Sequence, residues 1–598
     1  MKQFARQSLP FIFLMGMFVA CTNQSSQQSL PELDLRVDNF GLYDQHGSFH
    51  NLYYYSDASA IVLFVHGNGC PIVRNVMPAL REVRDSYTDK GVQFFMLNAN
   101  LQDNRENIIH EAADFGIDFP IMVDDAQLVA ESLDIHRTAE AIVIDPKQWK
   151  IVYRGPVDDR LNYETQKKEA ANNYLADALD KHLNGQAIAQ AVVRSPGCLV
   201  ALPVQESKEH ENLTYVSDIA PILKSNCRKC HQKGGIAPWA MESYEIVRGW
   251  APMMREVVRT RRMPPWQADP HYGEFSNDLS LTVEEQQKIV HWVENGAPRG
   301  EGDDMLKNHP ATGDAWGLGE PDLVIELEPQ SIPATGVLEY RYFPIKPDLK
   351  EGKWIKAVEV KPGNFAALHH VLVSVTYPDG FEEPIERTNR WFDGLFASYA
   401  PGAEPEVFPE GSGRYLPVGS ELLFQIHYTT TGKEETDASK LGIYFAEKEP
   451  EKEFLIVGPA NWKFEIPPET KAHDVHAKKV FEEDVTLYGM SPHMHFRGKS
   501  MKYTAHYPDG SSEVLINVPN YNFNWQRYYK LKEPKAIPAG TEIAVHAVFD
   551  NSSQNLYNPD PSSKVYFGEQ SFEEMLIGYM AFVRGVKKKK EQLAITSR

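Results

Sequence analysis

The sequence predicts a multidomain chain in which an α/β unit, a small all-α unit and two all-β units follow one another. Three observations carry this reading. Continuous apolar runs alternate with helical periodicity in the first third, helical patterns follow Cys227-Arg228-Lys229-Cys230-His231, and beyond residue 320 short alternating runs are broken by Pro, Gly and Asp clusters. A chain of 598 residues with 42% hydrophobic content has room for three or four such cores.

At the N terminus, Lys2 and Arg6 precede an apolar run from Leu9 to Val19, which ends in small residues before Cys21. The pattern resembles a lipoprotein signal over residues 1–21, with Cys21 as the lipidated first residue of the mature chain. Phe18 replaces the usual Leu, so ordinary signal cleavage is the alternative. Either way the expectation is an exported protein, facing the periplasm or the cell surface, that meets a membrane only through a lipid anchor. No other stretch reaches the ~18 consecutive apolar residues of a membrane-spanning helix. The formal net charge of -21 argues against nucleic acid as a partner, and the basic run Lys587 to Lys590 reads as a solvated tail.

Residues 32–185 form the α/β unit. Ala60 to Val65 is a continuous apolar strand, Gly67-Asn68-Gly69-Cys70-Pro71 a turn, and Val73, Val76, Met77, Leu80 and Val83 repeat at helical spacing. Val92 to Leu97 and Ala141 to Ile144 add buried strands, as in a doubly wound sheet. Cys70 falls at a helix N-terminus, where the helix dipole favours a thiolate, so it is a candidate redox thiol. The arrangement resembles the thioredoxin and peroxiredoxin superfamily. It departs from that pattern at Val73, where a dithiol oxidoreductase has its second Cys, at Gly67, where a peroxiredoxin has a Thr, and at Thr138-Ala139 in place of Thr-Pro. Cys198 lies in the following linker as either a resolving partner or a lone thiol.

Residues 213–300 form the small helical unit. Two thiols three residues apart, followed at once by histidine, suit covalent attachment of a c-type haem by Cys227 and Cys230 with His231 on the iron. Half of a zinc site is the alternative, but no second Cys pair exists to complete four ligands. Met263, His271 and His291 are candidates for the opposite axial position. Met263 is preferred because Pro264 and Pro265 end the preceding helix and hold it on a stiff loop. His291 falls in a helix opened by the capping box Thr282-Val283-Glu284-Glu285, with its side chain expected toward solvent. The wording of the unit resembles the cytochrome c modules of exported bacterial multidomain redox proteins.

The C-terminal half alternates in runs such as Asp322 to Leu327, Val371 to Val375, Leu422 to Tyr428 and Glu542 to Phe549, the pattern of β-sandwiches. His493 and His495 are two apart, so on a strand both imidazoles share one face, as a chelate requires. His369 and His370 are adjacent and would point to opposite faces, so joint ligation needs a bulge or a strand end. Spacing alone leaves that pair ambiguous, and scattered surface histidines are the bland alternative.

Taken together, these residues resemble the copper type II, ascorbate-dependent monooxygenases, the family of peptidylglycine α-hydroxylating and dopamine β-monooxygenases. The resemblance covers nearly the whole C-terminal half, as two jelly-roll-like sandwiches at 320–448 and 455–590. It implies a first copper on His369, His370 and His427, and a second, oxygen-binding copper on His493, His495 and Met575, with Tyr579 as a possible substrate contact. Three imidazoles suit copper cycling between its oxidation states, and a thioether softens a two-His site toward copper(I). The reaction implied is hydroxylation of an aliphatic C–H bond with O2, its two electrons coming from an external donor such as ascorbate or through the haem. Ser491 replaces an Arg that grips a peptide carboxylate in that family, and this half has no cysteine, so the substrate, small molecule or peptide, is left open. The alternative function is a non-catalytic copper-binding or electron-transfer lipoprotein.

Overall fold

A computed structural model describes residues 33, 36–162, 165–307, 315–383 and 394–586. The expected signal segment with Cys21, and the basic run Lys587 to Lys590, lie outside the described residues. Among those described, no helix is long and apolar enough to cross a membrane.

The N-terminal unit is a five-stranded sheet in which Ala60–His66 is central, flanked by Val92–Asn98 and Ile121–Val123 on one side and Ala141–Asp145 and Lys150–Gly155 on the other. The first three strands run parallel, but Ala141–Asp145 pairs antiparallel with Ala60–His66. This corrects the doubly wound expectation: the last two strands form a hairpin and need no crossover helix. Buried residues line both faces of the central strand, in agreement with its continuous apolar run. The unit also reaches past residue 185, because Val192 bridges Arg154 and Leu199 bridges Arg137.

Helices Ala220–Asn226, Tyr244–Arg259 and Val283–Glu294 make up the second unit around the buried Trp292. The Thr282 capping box forms as expected, each side chain bonding the other residue's backbone N–H. Between the last two helices the chain wedges into the C-terminal half. Trp266 packs edge-on against Tyr529, and Asp269, fully buried, receives Arg105 Nη1 of the first unit at 2.7 Å.

The C-terminal half consists of two sandwiches that share a wall. A four-stranded sheet holds Leu368–Thr376 and Glu421–Tyr428 at its centre, another is built on Gly498–His506 and Glu542–Phe549, and a ten-stranded sheet runs behind both. Strand Leu576–Gly585 explains the join, because its residues alternate between two cores. Ile577, Tyr579, Ala581 and Val583 pack into the first, whereas Leu576, Met580 and Phe582 pack into the second. Lys452–Val457, its antiparallel neighbour, divides in the same way. The two β units therefore share a wall of strands.

Candidate functional site

His370 and His427 are direct cross-strand partners in the first sandwich, and a register shift falls between Leu368 and His370. That irregularity is the bulge two adjacent histidines need, and it turns His369 back toward its neighbours. His369 Nδ1 lies 3.3 Å from the Nδ1 atoms of both His370 and His427. Candidate ligand atoms of all three buried histidines fall within 4.8 Å of one another. Tetrahedral ligands at metal–imidazole bonds of ~2.0 Å stand about 3.3 Å apart, so the cluster has the dimensions of a metal site. Burial drives these imidazoles toward the neutral, ligating form, His369 to about 4 and His427 to about 3.

His493 ends strand Val485–His493, and His495 follows in the next turn. Their rings sit 5.3 Å apart. His495 Nδ1 donates to the Glu573 carbonyl at 3.2 Å, leaving Nε2 buried without a partner. His493 Nδ1 lies 2.7 Å from Gln526 Oε1, which fixes its ring. Met575 is buried just before strand Leu576–Gly585, against the core of the first sandwich and directly after the segment that holds His495. Glu574, the residue before Met575, ties these parts together. Its fully buried carboxylate accepts the backbone N–H groups of His495 at 2.9 Å, Arg497 at 2.6 Å and Met575 at 3.3 Å.

The two histidine groups face each other across a shared aromatic lining. Tyr340 lies 4.8 Å from His427 and 6.4 Å from His495, and Phe523 stacks on His369 at 5.2 Å while meeting His495 at 5.8 Å. Beside them opens a small pocket lined by Tyr342, Leu372, Leu423, Gln425 and Tyr579. Leu372 pairs with Gln425 two residues along from the His370–His427 pair, so the pocket lies on the face that carries the histidines. Tyr579, 6.1 Å from His493, joins the pocket to the second group. Ser491 turns its hydroxyl to the Arg527 carbonyl at 3.2 Å.

In the helical unit, one turn gathers Cys227, Cys230 and His231, whose N–H bonds the Cys227 carbonyl at 3.1 Å. His231 Nδ1 donates to the Trp239 carbonyl at 3.0 Å, which fixes the ring and leaves Nε2 as an acceptor. Ile246, Trp250 and Met253, spaced to share one face of helix Tyr244–Arg259, are all exposed, and Trp250 stacks on Trp239, itself against His231. An apolar stripe open to solvent beside two thiols and an oriented imidazole fits a haem face. Met263 follows that helix, half-buried. The other two axial candidates are engaged elsewhere: His271 with Asp269 at 3.0 Å, and His291 with Glu131 at 2.7 Å and His210 at 2.8 Å. His291 thus packs against the first unit, contrary to the expected solvent-facing position, because the helical unit docks there.

The Cys-x-x-Cys-His turn abuts the C-terminal half. A Cβ on Gly402 would meet Cys230 Sγ at 3.1 Å and Arg527 Nη1 at 3.2 Å, and Lys229 bonds Glu404 at 2.6 Å. Segment Phe523–Arg527 therefore touches Cys230's neighbourhood through Arg527, His493 through Gln526, and His369 through Phe523. The aromatic and amide run Tyr521-Asn522-Phe523-Asn524-Trp525-Gln526 was its only signal in the sequence.

In the first unit, Cys70 caps helix Pro71–Tyr87, and Thr138 Oγ1 lies 3.2 Å from its sulfur. Cys198, in the following linker, sits beside it with its sulfur 3.0 Å away.

Residues 27–174 match the Redoxin family, and residues 455–595 match the C-terminal domain of the copper type II ascorbate-dependent monooxygenases. The chain thus joins a thioredoxin-like domain to a copper monooxygenase C-terminal domain, which suggests an oxidoreductase that uses copper. Among solved structures, a hypothetical protein from Sinorhizobium meliloti 1021 is 25% identical over 29% of this chain and 95% of its own, with a TM-score of 0.27. An uncharacterized conserved protein from Geobacillus kaustophilus is 28% identical over 29% of this chain and 94% of its own, with a TM-score of 0.26. The thioredoxin domain of a thiol-disulfide oxidoreductase from Bacteroides vulgatus is 17% identical, covering 26% of this chain and 99% of its own at a TM-score of 0.21. No curated protein matches.

Proposed function

We propose that this chain is an exported copper-dependent monooxygenase that hydroxylates an aliphatic C–H bond with O2, its electrons delivered through a c-type haem on the same polypeptide. The observation that carries the reading is the meeting of His369, His370 and His427 with His493 and His495 across Tyr340 and Phe523. Copper supplies single-electron redox chemistry and O2 reduction, one oxygen atom entering the substrate and the other leaving as water. His369, His370 and His427 hold the first ion. His493 and His495, with Met575, hold the second, while Gln526 and Glu574 fix the imidazoles and the segment around them. The recess by Tyr579 has room for little more than one water molecule, so it marks the side from which a substrate would approach rather than a pocket that encloses it, with Gln425 and Tyr342 as polar groups there.

Cys227 and Cys230 would carry the haem, with His231 and Met263 as axial ligands; a haem so held supplies electrons one at a time. Segment Phe523–Arg527 supports this division of labour, since it packs continuously from the Cys230 turn to both histidine groups. A small reductant such as ascorbate can serve in the haem's place. Lipidation at Cys21 would keep the protein at a membrane surface.

Metal analysis of the purified chain together with oxygen uptake after reduction tests the reading. Two coppers per chain with uptake that His493→Ala abolishes is the expected result. Copper without uptake would make the protein a non-catalytic copper-binding or electron-transfer lipoprotein.

A further inference from the structure

Away from the histidines, the fold brings together two thiols separated by 128 residues: Cys198 Sγ lies 3.0 Å from Cys70 Sγ. No bridge joins them. Residues 195–200 run as an extended strip along 136–139. Thr138 N donates to the Cys198 carbonyl and Val200 N to the His136 carbonyl, each at 2.9 Å, and Arg137 Nη1 donates to the Gly197 carbonyl at 2.9 Å. Gly197 allows this approach, because a Cβ there would lie 1.7 Å from the Thr138 carbonyl oxygen. The Thr138 hydroxyl accepts the Cys198 N–H at 2.9 Å and lies 3.2 Å from Cys70 Sγ, placed to donate its proton to a thiolate there. Cys70 is only 4% exposed beneath Cys198, which itself remains partly open to solvent.

We propose that Cys70 and Cys198 form one dithiol–disulfide couple that exchanges two electrons with the cysteine pair of a partner protein, and that the partner enters at Cys198. This inference is independent of the copper reading. It gives the first unit a two-thiol cycle although Val73 occupies the usual place of a second cysteine, because the linker returns to supply one.

The order of steps follows from access and from leaving ability. A partner thiolate attacks Cys198 Sγ, the exposed sulfur of the disulfide; the S–S bond breaks and Cys70 leaves as a thiolate. The partner's second thiolate then attacks its own sulfur in the mixed disulfide, forming the partner disulfide and releasing Cys198, which takes up a proton. One disulfide and one dithiol thus become one dithiol, ionised at Cys70, one disulfide and a released proton. Lower-pKa thiols leave faster. Burial opposes ionisation of Cys70, but hydrogen bonds from Cys198, Thr138 and the Val73 N–H outweigh it and hold the thiol below its usual range. Burial and the neighbouring sulfur push Cys198 up to about 11. Glu111, which accepts the Gly69 N–H, is paired with Arg74 at 3.0 Å.

Equilibration of the full chain against mixtures of reduced and oxidised glutathione, followed by alkylation and peptide mapping, tests this. A Cys70–Cys198 disulfide should form and disappear reversibly. In Cys70→Ser, glutathione should be found on Cys198; in Cys198→Ser, Cys70 should react at least tenfold more slowly. Thr138→Val should lower the thiolate ultraviolet absorbance of the reduced protein at neutral pH while still allowing the disulfide to form. Absence of the disulfide at every glutathione ratio would overturn the couple. Faster trapping at Cys70 than at Cys198 would overturn the entry site.

Discussion

Glu574 offers the sharpest perturbation of the second histidine group. In Glu574→Ala, three backbone N–H groups, those of His495, Arg497 and Met575, lose their acceptor in a place with no access to solvent. An unsatisfied buried donor costs ~1–3 kcal/mol, so three of them should cost about 3–9 kcal/mol, nearer the lower end where water enters the void. The same change frees the His495 turn from the segment before Met575, and loss of such a supporting contact costs ~10–100-fold in metal affinity. Burial pushes the Glu574 carboxyl up to about 8, yet both of its oxygens accept, Oε1 from Arg497 and Oε2 from His495 and Met575, so Glu574→Gln, with one carbonyl oxygen, keeps only part of the clamp. Copper titration and thermal unfolding of both variants provide the assay. Glu574→Ala should lose copper from the second site first and unfold earlier, with Glu574→Gln between it and the parent. Parent-like copper affinity and stability in the alanine variant would refute the clamp.

Other outcomes follow from the same geometry. His493→Ala should abolish oxygen chemistry while the first copper still accepts an electron, whereas His427→Ala should leave a second site that binds copper but cannot complete turnover; electron paramagnetic resonance with metal counting checks both, and equal loss of both coppers in each variant would deny two sites. Because burial depresses His369 and His493 to about 4 and His427 to about 3, these imidazoles stabilise the copper-free fold above their ordinary value of ~6.5 and lose that contribution as pH falls from there through about 4. Thermal unfolding of the copper-free chain should therefore be flat above neutrality and decline across that window. Met263→Ala should keep the covalent haem but change its axial spectrum and lower its potential; an unchanged spectrum would remove Met263 from the iron.

Much of this organisation is written locally. The apolar run Ala60 to Val65, the helix after Cys70, the capping box at Thr282 and the strand Glu542–Phe549 follow from periodicity and cap residues, and the structure has them in place. The adjacent pair His369-His370 announced its own requirement, a bulge, and the bulge is present. What the sequence could not disclose depends on distant pairing. Strand Leu576–Gly585 reads as merely apolar until two sandwiches are seen on its two faces. Cys198 reaches Cys70 only because Gly197 lets the linker lie against Thr138. His291 looked like a surface residue because the docking of Glu131 against it comes from another unit. Segment Phe523–Arg527 carries no ligand, so only packing shows that it borders both histidine groups.

Stopped-flow spectroscopy of the reduced, metal-loaded chain mixed with O2 bears most directly on the joining of these parts into one oxidoreductase. If electrons pass from the Cys227–Cys230–His231 turn to the histidine groups along Phe523–Arg527, haem reoxidation should keep pace with oxygen consumption beyond the first turnover, and the double variant Cys227→Ser/Cys230→Ser should stop once the two electrons on its coppers are spent unless a small reductant such as ascorbate is added. Haem that stays reduced while oxygen is consumed would contradict that path.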